Sequence, residues 1–443
     1  MATRLRTFLA LLAVGVLLVS ACSSGGGSAS PAASAASAPP ASAPPASGSP
    51  AAGETPAPST ATACEAAAAA GTQIPEIVEG KFNVAMVLIG PHNDGGWSQA
   101  HYEGLVNLCE NMADSHVAYI ENVPEGADSE QVFRSLARKG FDFIIGTSFG
   151  YMDPMATVAE EFPTQTFLHL TGYKSNGKNF GNFFGAMENF KYLAGMLAGS
   201  RAKLDGNPKI GYMATFPIPE ELRLGNAIML GVKQTCPECT MDIRFINTWH
   251  DPVKEKEGAA SLFDAGAQVV FTGADTGAVA DVAQEKGKWG VTYDHPDSCK
   301  SERCLTAPYW IWGPEYTRIA EKVKAGTYKA GYEYFDADAG AMGLLGFMDG
   351  ETPRMGVKDL PEKDVQLVKD TLAKMLKSDT GRFDIVFPGP LKDNAGKELL
   401  AAGEKLVQAD LDQFPPGAPG NECKTCMYWW AEGIVAKLPE LSQ

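Results

Sequence analysis

Apolar positions recur along this chain in two alternating patterns. Residues 82–89 form a nearly unbroken apolar run closed by Gly90-Pro91, which reads as a buried parallel strand. Helical spacing follows over 97–112. The alternation continues with a strand at 117–120, a helix at 129–139, a strand at 141–145, a helix at 153–161, a strand at 166–170 and a longer helix at 189–202. It then restarts. Strands are predicted at 209–213, 241–246, 269–271 and 290–293, with helices at 219–233, 253–264 and 276–285 between them. Regular alternation of this kind predicts an α/β fold of parallel sheets flanked by helices, and two runs predict two similar lobes. Farther on, 364–376 and 397–411 are expected to be helical.

The first 63 residues follow neither pattern. Arg4 and Arg6 precede an apolar run over 8–19, and Ser20-Ala21-Cys22 follows. That is the plan of a signal peptide, and the run is shorter than the roughly 20 apolar residues a membrane-spanning helix needs. The segment Leu18-Val19-Ser20-Ala21-Cys22 resembles a bacterial lipoprotein box, which implies cleavage before Cys22 and lipid attachment to its sulfur. A plain secretory signal is the alternative. Residues 22–63 are almost wholly Ser, Ala, Gly, Pro and Thr, which cannot bury apolar surface and read as a flexible tether. The expected organisation is a signal peptide (1–21), a lipid-anchored linker (22–63), lobe 1 (64–204) and lobe 2 (205–305). Both lobes are completed by parts of 306–443.

Charge narrows the function. Lys and Arg number 37 and Asp and Glu 53, a net −16, and such an acidic balance argues against nucleic-acid binding. Eight cysteines follow Cys22: Cys64, Cys109, Cys236, Cys239, Cys299, Cys304, Cys423 and Cys426. An even number outside the cytosol reads as disulfides. Three pairs are close in sequence, and local closure would leave Cys64 for Cys109. A four-thiolate zinc site from the two Cys-x-x-Cys units is the rival on spacing. A thioredoxin-like redox role is a further one.

In open parallel sheets, ligands bind beyond the carboxyl ends of the strands. Polar and aromatic residues gather in those loops here. Asn93, Asp94 and Trp97 follow the first strand. Asp94 can cap the coming helix, and the Trp97 ring can stack on a flat ligand or pack into the core. Ser148, Phe149 and Tyr151 follow the third strand. In the second run Phe216, Trp249, Asp275-Thr276 and Asp294 occupy the corresponding loops. Asp275 and Asp294 are acceptors at strand ends, with helix capping as the alternative duty.

The segment 82–105, with Asn93-Asp94-Gly95-Gly96-Trp97-Ser98-Gln99 and Tyr102-Glu103-Gly104, resembles the opening of the basic membrane protein family. Further matches are Gly146-Thr147-Ser148-Phe149-Gly150-Tyr151-Met152-Asp153, Tyr192-Leu193-Ala194-Gly195, Pro217-Ile218-Pro219-Glu220 with Arg223 and Asn226, and Trp312-Gly313-Pro314-Glu315-Tyr316. Pro388-Gly389-Pro390-Leu391-Lys392-Asp393-Asn394 continues the series, so the resemblance runs in order from about residue 80 onward. It implies a type I periplasmic-binding-protein-like fold with three interlobe crossings, with hinges near 204–208 and 304–308 and a third farther on. It also implies a lipoprotein that hands a purine base or nucleoside to an ABC permease from the outer face of the cell membrane. On the same resemblance, Trp97 stands where the family has a stacking aromatic and Asp275 where it has a ligand-binding acid. Asn93 stands where many members have an acid, which favours a free base over a ribose-bearing ligand. No cofactor, metal or catalytic residue is implied.

Other readings keep or change the scaffold's use. A sugar or other small solute would leave transport intact, and a sensor would replace the permease by a signalling protein. A secreted nucleoside hydrolase would need an acid cluster for water activation, which the sequence does not display.

Overall fold

The computed structural model describes residues 73–412 and 423–440. The expected signal segment, the anchor Cys22, the linker through residue 63 and Cys64 lie outside them. The first run consists of β1 (Phe82–Val87), α1 (Trp97–Asn111), β2 (Ser115–Ile120), α2 (Ala127–Lys139), β3 (Phe143–Gly146), α3 (Met152–Glu161), β4 (Thr166–Leu170), β5 (Phe180–Gly185) and α4 (Glu188–Leu204). The second consists of β6 (Lys209–Ala214), α5 (Pro219–Thr235), β7 (Thr240–Phe245), α6 (Pro252–Asp264), β8 (Val269–Thr272), α7 (Ala278–Lys286), β9 (Trp289–Val291) and β10 (Cys304–Thr306). The remainder holds β11 (Pro308–Trp310), α8 (Gly313–Lys324), β12 (Tyr332–Phe335), β13 (Met342–Leu344), α9 (Met355–Lys358), α10 (Glu362–Met375), β14 (Leu391–Lys392), β15 (Glu398–Leu400) and α11 (Gln408–Asp412).

Two parallel sheets result. One has the order β12-β5-β4-β3-β1-β2 and the other β10-β9-β8-β6-β7. β1 is buried along its whole length, as a central strand covered on both faces must be. The chain passes from the first sheet to the second at 205–208. It returns after β10 to place β12 beside β5, and meets the second sheet again where Ile434 bridges Met241 of β7.

The helices α4 and α5 join the two halves. Nearly all of α4 is buried, and glycines let the backbones meet. A Cβ on Gly195 would lie 2.3 Å from the Ile228 carbonyl oxygen, and one on Gly231 would lie 2.0 Å from that of Tyr192. α5 starts on Pro219, whose missing N–H costs nothing at a first helical position, with Glu220 and Glu221 in the first turn.

Two expectations are corrected. Residues 397–411 are not one helix: β15 pairs antiparallel with β14, and only α11 at the end is helical. The segment Phe180–Gly185, which had no assignment, is strand β5 in the first sheet. The sulfurs of Cys236–Cys239, Cys299–Cys304 and Cys423–Cys426 are bonded in pairs, so the two Cys-x-x-Cys units are closed on themselves rather than free for zinc. Cys109 is disulfide-bonded as well. Among the described residues no helix is long and apolar enough to cross a membrane.

Candidate ligand site at the strand ends

A narrow cavity of about 30 Å³ lies between the carboxyl ends of the two sheets. From the first half it is lined by Ile89 and Trp97 after β1, Ser148 and Phe149 after β3, and Thr171 after β4. From the second come Glu220 in the first turn of α5, Trp249 after β7, Gly273 and Asp275 after β8, and Tyr293 and Asp294 after β9. A wider vestibule adjoins it through Ile89 and Trp249 and is lined also by Asn122, Phe216, Asn247, Thr248 and His250.

The halves are in contact at this point. A Cβ on Gly96 would stand 1.7 Å from the carbonyl oxygen of Asp275, so only glycine fits there with the cleft shut. Beside it, His295 Nε2 is 3.0 Å from Glu103, and Gln99 Nε2 donates to Asp297 at 3.3 Å. These are partly exposed contacts of modest strength.

The sequence candidates fall into distinct environments. Trp97, Ser148, Phe149, Trp249, Asp275 and Asp294 line the cavity. Trp97 is 8% exposed, donates from Nε1 to the Thr147 carbonyl at 2.6 Å, and packs edge-on against His101, Trp310 and Trp312. It is therefore both a core ring and a wall. Phe216 lies in the vestibule, its ring centre 4.9 Å from that of Trp249. Tyr151 faces away from the cavity: it is fully buried in the core, and its hydroxyl donates to the Val123 carbonyl. Thr276 is held by Glu255, which accepts from both its N–H and its hydroxyl. Asn93 is exposed and outside the cavity wall. Asp94 caps the start of α1: Oδ1 accepts from Gly96 and Gln99 N–H at 2.8 and 3.0 Å, and Oδ2 from Ser98 N–H at 2.9 Å.

Sequence reasoning missed Thr171, Glu220, Tyr293 and, behind the wall, Lys191. Thr171 is a β-branched residue at φ +72°, a conformation that costs on the order of 1–3 kcal/mol and clusters at functional sites. Asp294 is also left-handed, at φ +68°. Lys191 projects from α4 to donate to the Thr272 carbonyl at 2.8 Å and lies 3.4 Å over the Tyr293 ring.

The cavity is short of protein partners. Thr171 Oγ1, Asp275 Oδ2 and Tyr293 OH are buried and bonded to no protein group. Buried polar atoms are ordinarily paired, so three lining one small cavity point to a ligand that supplies the missing bonds. Acids dominate the electrostatics. Burial, then the Asp94 and Asp294 charges, push the Asp275 carboxyl well above the usual range. Burial does the same to Asp294, opposed by Lys191, and its Oδ1 accepts from Trp310 Nε1 at 3.0 Å. Burial raises Glu220 to about 8 and lowers Lys191 to about 8. Asp94, His250 and Asp275 bring carboxylate oxygens and a ring nitrogen within 4.8 Å of one another, and among the described residues this is the group whose geometry could hold a metal ion.

A pair of parallel sheets meeting at their strand ends around a small cavity is the architecture of two-lobed solute-binding proteins. The chain belongs to the family of PnrA-like ABC transporter substrate-binding proteins (Bmp), whose model matches residues 81–379. Family and fold are those of non-enzymatic solute receptors. A purine-binding protein of Brucella abortus is 32% identical over 365 residues, covering 82% of this chain and 95% of the relative. A putative ABC transporter glucose-binding protein of Haloferax volcanii is 37% identical over 249 residues, covering 56% of this chain and 62% of the relative. The fold is also that of an ABC transporter solute-binding protein from Aeropyrum pernix, with a TM-score of 0.59, 18% identity, and coverage of 69% of this chain and 94% of that one.

Two outcomes follow from this geometry. Gly96→Ala forces the cleft open, so small-angle scattering should show a larger radius of gyration for the variant. An unchanged radius would mean that the two loops move apart without the lobes. Glu220 holds its proton up to about pH 8 when folded, whereas the unfolded chain releases it near the ordinary glutamate value of about 4.3. Between those values the folded state loses stability as pH rises. Glu220→Gln should flatten the fall in melting temperature over that window, and parallel curves for both proteins would contradict the assignment.

Proposed function

We propose that this protein is the receptor that captures a purine and delivers it to an ABC importer, with the purine ring in the cavity between the sheets. The observation that carries the reading is the combination of aromatic walls from both halves, Phe149 and Trp97 from one and Trp249 from the other, with unpartnered polar atoms at the rim. A planar heterocycle buries its faces against rings and offers N–H groups at its edge. Ser148, Thr171, Glu220, Asp275, Tyr293 and Asp294 are the polar groups proposed to read that edge. The purine-binding relative supports the ligand class. A sugar is the second reading, favoured by the glucose-binding relative and by the fact that carboxylates also accept from hydroxyls. We place the protein outside the cytoplasm, tethered to the membrane by lipid on Cys22.

Melting-temperature shifts of the purified chain with purine bases, purine nucleosides, pyrimidines and glucose test the ligand class. A ligand that binds only the folded state at a hundredfold excess over its Kd stabilises it by about 2.7 kcal/mol. The account expects a shift with purines, with Trp249→Ala weakening their binding roughly ten- to a hundredfold, the range for one base–aromatic stack. A shift with glucose alone would transfer the site to sugars. The anchor has its own test: Cys22→Ser should move the protein from the membrane to the soluble fraction of producing cells, and an unchanged distribution would remove the lipid proposal.

A further inference from the structure

The cavity extends to a cluster that the ring-stacking argument leaves unused. Asp275 lines the cavity wall and also faces Asp94 and His250, with all three sets of ligand-type atoms within 4.8 Å of one another. The cluster spans the cleft, because Asp94 follows β1 while His250 and Asp275 follow β7 and β8. Asp275 is 3% exposed, its Oδ2 has no protein partner, and the buried Nδ1 of His250 has none either. Asp94 differs: its oxygens already accept three N–H groups at the start of α1. Burial and the facing Asp94 charge favour a proton on Asp275, and a cationic or donor group placed between the two carboxyls would let Asp275 ionise and accept from it.

We propose that the site selects heterocycles bearing an amino group or a protonated nitrogen, which sits between Asp94 and Asp275 beside His250, and turns away anionic and purely oxo-substituted analogues. The inference rests on the purine reading above and names the ligand chemistry within it. The spacing fits. The ligand-type atoms of all three residues lie no more than 4.8 Å apart, within reach of a single amino group, which donating both hydrogens at about 2.9 Å reaches acceptors up to about 5 Å apart. The ring carrying it would lie in the aromatic cavity, since Asp275 belongs to both. Donors also relieve the unpaired buried acceptor. An anion there would meet Asp94, Asp275, Asp294 and Glu220 with Lys191 as the nearby lysine, and Lys191 is engaged with Thr272. A divalent cation is the competing occupant. It is less well served, because Asp94 has three of its lone-pair directions taken by backbone N–H groups.

Calorimetric titration of the full chain with adenine, hypoxanthine and urate at one pH tests this. Adenine should bind at least about tenfold tighter than hypoxanthine, the loss expected for one charge-assisted hydrogen bond, and urate should bind more weakly still. Asp275→Asn should weaken adenine and bring the adenine-to-hypoxanthine ratio toward one. Asp94→Asn, an independent change from the other side of the cleft that keeps a capping side chain, should narrow the same ratio. Hypoxanthine binding as tightly as adenine would overturn the inference, because it would mean that Asp275 carries a proton and donates it. So would an Asp275→Asn variant that loses both bases equally, or Zn²⁺ or Mn²⁺ raising the melting temperature without any base and losing that effect in Asp275→Asn. If no purine binds, the purine reading falls and this inference with it. If purines bind without amino preference, only this inference falls.

Discussion

Carboxylates gathered in a low-dielectric cleft must find donors, and this requirement governs the arrangement around the cavity. Glu220, Asp275 and Asp294 are all buried at the ends of strands or helices of one half. Each is treated differently. Asp294 accepts from Trp310 and is opposed by the nearby Lys191 charge, Glu221 accepts from Tyr212 and Thr215, and Glu255 accepts from Thr276. Asp275 Oδ2 is fully buried and has no hydrogen bond to protein. A fully buried carboxylate oxygen left unpaired marks the position where something outside the chain completes the structure.

The rest of the fold makes that arrangement possible. Parallel sheets place every loop after a strand on the same edge, and the reversals of strand order at β2-β1-β3 in one sheet and β7-β6-β8 in the other open a crevice there. The glycines of α4 and α5 bring the backbones of the two halves together, so the halves are joined through a close-packed helix pair. Gly96 carries this to the cleft itself, where its missing side chain lets the α1 entrance rest on the Asp275 backbone. Closure thus excludes water from the acids, which strengthens every hydrogen bond a ligand makes to them.

Much of this was legible in the residues. Unbroken apolar runs such as 82–89 and 269–271 mark central parallel strands, and the loops after them held Trp97, Ser148, Phe149, Trp249, Asp275 and Asp294. What escaped has physical reasons. β5 carries two glycines and an asparagine, and β12 is a half-buried Tyr-Glu-Tyr-Phe that becomes a strand by pairing with β5 from far along the chain. Tyr151 looked like a loop aromatic because periodicity does not show that its ring turns into the core beside Phe133. Glu220 was hidden in a helix's first turn, where an acid is already explained by the helix dipole. Lys191 was hidden on a helix buried on all sides, where no amphipathic pattern separates a core face from a site face.

The central claim is that the cleft between the sheets closes on a purine. Hydrogen–deuterium exchange of the chain with and without adenine addresses it directly. The account predicts that backbone amides at 93–99 and at 273–278 become more protected together, since a ligand held by both halves slows opening of both. Protection confined to one of these segments, or no change in either with adenine bound, would contradict it.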